Sequence, residues 1–174
     1  GTLLGIGLAI AIVHSKILSK SLMPWIIASQ TIPILAIAPM VIVVLGAIGF
    51  TGLVPKSLIS MYLCFFPVTI GMVKGLTSPE VMQRDLMRTY NASTPQVLWT
   101  VQLPLAMPTL WAGVKTAAVI NVGTATVAAF IGAGGLGERI VAGLAVNDGA
   151  ALLAGAVPAA VLALAVQWTF DAAE

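Results

Sequence analysis

The stretch Leu76-Thr-Ser-Pro-Glu-Val-Met-Gln-Arg-Asp-Leu-Met-Arg-Thr-Tyr-Asn-Ala-Ser-Thr-Pro-Gln-Val-Leu-Trp-Thr-Val-Gln-Leu-Pro104 is a polar interruption in an otherwise apolar chain. It contains Arg84, Arg88, Glu80 and Asp85. Its punctuation is helical. Ser78-Pro79 and Thr94-Pro95 each read as an N-cap followed by Pro at the first helical position. Asn91 lies between them and suits a left-handed helix end. Pro104 is expected to stop the second piece. The reading is two short helices, about 79–90 and 95–102, joined by a tight turn at Asn91-Ala-Ser. Set between membrane spans, such an angled element is a docking surface.

Composition supports the membrane setting. Of 174 residues, 59% are hydrophobic and 8% charged, and the mean hydropathy is +1.06. Soluble domains carry roughly 25% charge, so lipid is the expected solvent. A net charge of +2 gives no footing for nucleic acid. The single cysteine, Cys64, sits in an apolar run and reads as a buried thiol, with no metal site around it.

Working outward, residues 1–13 are apolar but lack the basic start and cleavage site of a signal peptide. They are shorter than the roughly 20 residues a span needs, so the sequence is expected to begin inside a helix, with residues upstream. The end, Phe170-Asp-Ala-Ala-Glu174, likewise reads as cut shortly after a span. His14, Lys16 and Lys20 read as a polar loop, His14 being interfacial. The apolar stretch from Leu22 to Phe50 holds Pro33 and Pro39 and reads as bent or broken. Residues 51–56 read as a loop and 57–73 as a span, closed by Lys74. Residues 110–131 read as a span of roughly 33 Å, with Ala125, Ala129 and Ala133 as a close-packing stripe. Residues 150–168 read as the last span, with Ala151, Gly155, Ala159 and Ala163 on one stripe, a kink at Pro158 and Trp168 at the interface. The fold class is therefore all-α: a polytopic membrane helix bundle with about five spans and a two-helix loop.

Polar residues inside spans are candidates for the translocation pathway: Gln30, Thr69, Asn121 and Thr124. Gln30 and Asn121 have a second reading, a hydrogen bond between helices, and for both that reading is preferred. Gly132-Ala-Gly134-Gly-Leu-Gly137 formally matches a dinucleotide fingerprint. It lacks the preceding strand and the acidic residue about 20 positions on, so a tight turn and a short helix over 137–144 is preferred.

With residues 76–104 facing the cytoplasm, Lys16, Lys20, Lys74, Arg84, Arg88 and Lys115 fall inside and only Lys56 and Arg139 outside. That arrangement obeys the positive-inside rule, and its inverse breaks it. No G-x-x-x-x-G-K-[ST] loop is present, so ATP hydrolysis is not expected of this chain.

Asp85-Leu-Met-Arg88-Thr-Tyr-Asn-Ala-Ser93 and Leu103-Pro104 resemble, in order and spacing, the cytoplasmic loop of ABC-importer membrane subunits, Glu-Ala-Ala-Arg-x-Leu-Gly-Ala followed by Leu-Pro. Asp85 stands for Glu, Leu86 and Met87 for two Ala, and Asn91 for Gly. Gln30-Thr-Ile-Pro33 is similar to importers of the taurine, sulfonate, nitrate and pyrimidine-precursor type. Residues 120–138 are similar to quaternary-amine osmoprotectant permeases. The resemblance implies one transmembrane domain over 1–174, in a bacterial inner membrane. It implies a non-catalytic permease subunit with no cofactor of its own, ATP and Mg²⁺ residing on the partner ATPase. The implied partners are ATPase subunits, a second permease subunit and an extracellular solute-binding protein. It implies that Arg84, Asp85, Leu86, Met87, Arg88, Tyr90, Asn91, Ala92, Ser93, Leu103 and Pro104 dock the ATPase. The solute would be a small polar molecule, a betaine- or choline-like amine first, a sulfonate, nitrate or pyrimidine precursor second. An ion-coupled secondary transporter is the rival, but it would normally carry buried ionisable groups, and Lys115 is the sole candidate. A membrane enzyme would need an acid/base or nucleophile cluster that the sequence does not offer.

Overall fold

In the computed structural model, residues 1–127, 129 and 135–173 are described, and all their regular structure is helical. In chain order the helices are α1 (Thr2–His14), α2 (Lys16–Ser29), α3 (Ile34–Ala47), α4 (Leu53–Thr77), α5 (Val81–Thr89), α6 (Thr94–Val97), a π turn (Leu98–Gln102), α7 (Leu103–Val127), α8 (Leu136–Ala145) and α9 (Gly149–Ala173). Among the described residues, three helical stretches are long and apolar enough to cross a membrane: Leu53–Thr77, Thr94–Thr126 and Gly149–Ala173. At 25 residues, a helix is about 37 Å long, against a hydrocarbon core of about 30 Å. The apolar helices Thr2–His14 and Ala36–Ala47 fall short of that length.

The helices divide into two compact units. The first comprises residues 1–29 and 64–116. Its core is Ala9, Met72, Leu76 and Ala106, all with no exposed surface, surrounded by Ile6, Ile10, Val13, Val73, Leu98, Leu103 and Leu110. Small residues bring the backbones together. A β-carbon on Gly71 would lie 2.7 Å from the Thr109 carbonyl oxygen, and one on Gly113 2.8 Å from the Pro67 carbonyl oxygen. In lipid, where apolar surface has no water to escape, such close approach is what associates helices.

The second unit comprises residues 30–63 and 117–174. Its best-defined piece is the α8–α9 hairpin. Asn147 takes the left-handed conformation at φ 52°. The Asp148 N–H donates to the Gly143 carbonyl, and the Asn147 N–H to that of Leu144, which closes α8. Asp148 then opens α9, its Oδ1 accepting from the Ala150 and Ala151 N–H groups at 2.9 and 3.3 Å. The stripe on α9 packs as its spacing implies: Gly155 and Ala159 are buried, and a β-carbon on Gly155 would meet the Ile140 side chain at 2.7 Å.

Several boundaries differ from the sequence reading. Lys16 and Lys20 are helical, since only Ser15 breaks the chain and its Oγ accepts from the Leu18 N–H. The His14 Nδ1–H donates to the Ile10 carbonyl at 2.8 Å. Pro55 and Lys56 belong to the first turn of α4 rather than a loop, a position where Pro costs no helical bond. The break in the second apolar stretch lies at residues 30–33, with Pro33 capping α3, and Pro39 stays within the helix. The last span extends past Trp168 to Ala173. The expected short helix over 137–144 is present as α8. Gly132 and Gly134 of the glycine-rich motif, and Ala133 of the first small-residue stripe, lie outside the described residues.

Candidate functional site

The polar stretch folds as two helical pieces around a turn, inside the first unit. Its first helix starts later than Ser78-Pro79 suggested. The Ser78 hydroxyl donates instead to the Gly75 carbonyl at 2.7 Å, finishing α4. Glu80 precedes α5, and its N–H donates to the Gln83 side chain at 3.1 Å, half of a capping box. The helix ends where Asn91 was expected to end it. Asn91 has φ 51°; its N–H donates to the Arg88 carbonyl at 2.9 Å and that of Ala92 to the Met87 carbonyl at 3.0 Å. This is the Schellman pattern with Asn in the place of Gly.

The second piece is capped one residue earlier than expected, since Thr94 is already helical. Ser93 is the N-cap, its N–H donating to the Gln96 side chain at 2.7 Å, and Pro95 falls in the first turn. Pro104 does not stop it. The helix continues from Thr94 through Thr126. The π turn supplies the reason: the Leu103 N–H bonds back to the Leu98 carbonyl, five residues away. A turn widened ahead of Pro104 relieves the collision between the proline ring and the preceding turn, and the missing N–H falls at the change of register.

The exposed side of this stretch is the notable feature. No residue of α5 is buried. Val81, Met82 and Leu86 are exposed to 66%, 80% and 56%, and Tyr90 and Trp99 to 75% and 68%. Arg84, Asp85 and Arg88 are exposed beside them, with Met87 and Ala92 half-buried. Arg88 and Asp85 form an ion pair at 2.9 Å. At that exposure it contributes little stability, but it holds the guanidinium in place. A shallow depression runs along Glu80, Val81, Gln83, Leu86 and Thr89. The stretch is anchored at its ends: Leu76 and Ala106 are fully buried, Leu103 packs on that core, and the Gln102 amide donates to the Leu76 carbonyl at 3.3 Å. Pro104 and Ser93 are exposed.

The four pathway candidates differ in their surroundings within each unit. Thr69 has no exposed surface, and its hydroxyl donates to the Phe65 carbonyl one turn back. Its neighbour is Gly5 of α1, whose added β-carbon would meet the Thr69 Oγ1 at 3.0 Å. Thr69 is thus a packing residue of the first unit. Gln30 is exposed at the end of α2. Asn121 and Thr124 lie together in the second unit, on the wall of one cavity. The Asn121 Oδ1 accepts from the Ser60 hydroxyl at 2.6 Å, and its Nδ2 donates to the Ala117 carbonyl at 2.9 Å. The interhelical reading of Asn121 therefore holds, and the same residue also faces the cavity.

Two features escaped the sequence reading. Ser60, the partner of Asn121, sits in the first third of α4 in an ordinary-looking run. Gly71-x-x-x-Gly75, with Ala106 against it, was visible as a small-x-x-x-small spacing. Among the described residues, no cluster of three His, Cys, Asp or Glu could hold a metal ion.

Comparison with known proteins gives one consistent answer. The family model described as binding-protein-dependent transport system inner membrane component matches residues 1–174. The chain is 36% identical over 165 residues to the choline transport system permease protein OpuBD of Bacillus subtilis, covering 92% of this chain and 70% of that one. It is 35% identical to the glycine betaine/carnitine/choline transport system permease protein OpuCD of the same organism, covering 93% of this chain and 69% of the relative. It is 30% identical to the osmoprotectant import permease protein OsmW of Salmonella typhimurium, covering 95% and 78%.

Proposed function

The chain belongs to the family of binding-protein-dependent transport system inner membrane components, and from that premise we propose how this permease subunit of an ABC importer is driven and what it carries. It is a multi-pass inner-membrane protein. Residues 76–104 form its coupling element, held in a groove of an ATPase subunit on the cytoplasmic side. The observation that carries this reading is α5, a helix with no buried residue, its apolar Val81, Met82 and Leu86 exposed, fastened to the core at both ends of the stretch. An apolar helical face between two anchored joints fits a protein groove, and the basic side chains around it favour the cytoplasm.

Tyr90 and Trp99 are the bulky anchors, and Asp85 and Arg88 the polar rim. ATP closes the ATPase pair, the docked loops move, and the attached helices switch the pathway between outward- and inward-facing. Two permease subunits enclose that pathway, and a solute-binding protein delivers the cargo from outside. α1 and α3 complete a total of about five spans as shorter or broken crossings. The solute is a quaternary amine. Support for this class comes from the relatives, which are named as permeases for choline, carnitine and glycine betaine.

The test is coupling in proteoliposomes holding the whole importer. Leu86→Asp or a charge placed at Ala92 is expected to cut uptake at least tenfold, the scale of one interface anchor, while the assembled permease is retained. In a Cys64→Ser background, Arg88→Cys is expected to react with an impermeant maleimide from the cytoplasmic face. Labelling from the external face, or unchanged uptake in both charged variants, would overturn the reading.

A further inference from the structure

A cavity of about 450 Å³ lies within the second unit, beside the Ser60–Asn121 hydrogen bond. Its size is that of a small-molecule site, which typically spans about 300–1,000 Å³. Lys56, Ser60, Asn121, Thr124 and Thr126 supply its polar wall. Ile42, Ile59, Leu63 and Leu162 supply apolar walls. Lys56 and Ser60 are one turn apart on α4 and share a face.

We propose that this cavity is a solute site of the permease itself and that it selects carboxylate-bearing quaternary amines over cationic alcohols. The inference rests on the importer function above and narrows its substrate. The charge of the wall decides it. Among the described lining residues, Lys56 is the one ionisable group, and none is acidic or aromatic. A quaternary ammonium group has no N–H to donate; proteins hold it with carboxylates or with the faces of aromatic rings. Neither is present on the described wall. Aliphatic side chains can receive its methyl groups, but a bare cation there would face the Lys56 ammonium, a like-charge arrangement that disfavours binding.

A zwitterion resolves this. Its carboxylate accepts from the Lys56 ammonium, which has three donors, and its methyl groups pack against Ile59, Leu63 and Leu162. The other polar groups serve the wall more than the charge. The Ser60 proton is committed to Asn121, and the Thr126 hydroxyl donates to the Val122 carbonyl at 3.1 Å. The Ser60–Asn121 bond ties α4 to α7 at the cavity's side, and Lys56, a turn away on an exposed position, reads the ligand's charge.

The experiment is saturation-transfer NMR on the permease assembled with its ATPase, without the binding protein, using glycine betaine and choline as separate probes. Glycine betaine is expected to give a methyl transfer signal, reduced at least fivefold by Lys56→Gln and retained in Lys56→Arg. Choline is expected to give a weaker signal that Lys56→Gln leaves equal or raises. Equal signals from the two probes, no signal from either, or insensitivity to Lys56→Gln would overturn the proposal. Uptake by the complete importer is measured in parallel. Absence of ATP-driven uptake together with Lys56-dependent betaine binding would sink the transport reading and leave the site standing.

Discussion

Gly75 is one of the positions where the structure permits least change, and replacing it by Ala tests the packing at the base of the polar stretch. A β-carbon there would lie 2.6 Å from the Ala106 Cα and 2.8 Å from the Ala106 Cβ, with the Thr109 Oγ1 closer still. Carbon atoms in contact prefer about 3.5–4.0 Å, so α7 must retreat by roughly 1 Å. Overpacking of this kind costs about 1–3 kcal/mol, and contact with backbone rather than a flexible tip places Gly75 in the upper part of that range. Alanine returns about 1 kcal/mol of helix propensity. The net expectation is a loss of about 1–2 kcal/mol. Gly7 in α1 is the control, because its added β-carbon meets nothing within 4 Å; Gly7→Ala should gain about 0.5–1 kcal/mol. The assay is SDS-driven unfolding of the purified permease in mixed micelles, followed by loss of helix. A Gly75→Ala midpoint equal to or above that of Gly7→Ala would refute the account of how α4 meets α7.

The turn and the hairpin give further tests. Asn91→Gly should preserve coupled uptake, whereas Asn91→Val should cost about 1–2 kcal/mol of left-handed strain and lower uptake without abolishing membrane insertion; equal uptake by the two variants would count against the Schellman turn. Asp148→Ala should destabilise the α8–α9 hairpin by about 1 kcal/mol through loss of the α9 cap, read as faster amide exchange at Ala150 and Ala151. Exchange unchanged at those two amides would remove Asp148 from the role of cap.

The residues most readable in sequence were those whose chemistry acts locally. Asn91 ends α5 because few other residues adopt positive φ, and that can be seen without knowing what surrounds it. The stripe on α9 was equally plain, since spacing alone puts Gly155 and Ala159 on one face. Pro104 misled because its effect depends on the turn before it; a π turn leaves no mark in composition, and the helix passed through. Ser78 misled because it could cap either the helix behind it or the one ahead, and it took the one behind. Thr69 and Asn121 looked alike as polar residues in spans. Thr69 satisfies its hydroxyl on its own helix, whereas Asn121 found Ser60, 61 positions away, a pairing that only the fold creates.

The α8–α9 connection has a consequence for its length. Asn147 completes one helix and Asp148 begins the next, so no spacer residue separates them. One inserted residue within the first turn of α9 would rotate everything after it by about 100° and swing Gly155 away from Ile140, leaving a bulkier side chain in its place. Side chains on this hairpin can be exchanged far more readily than its register can be shifted.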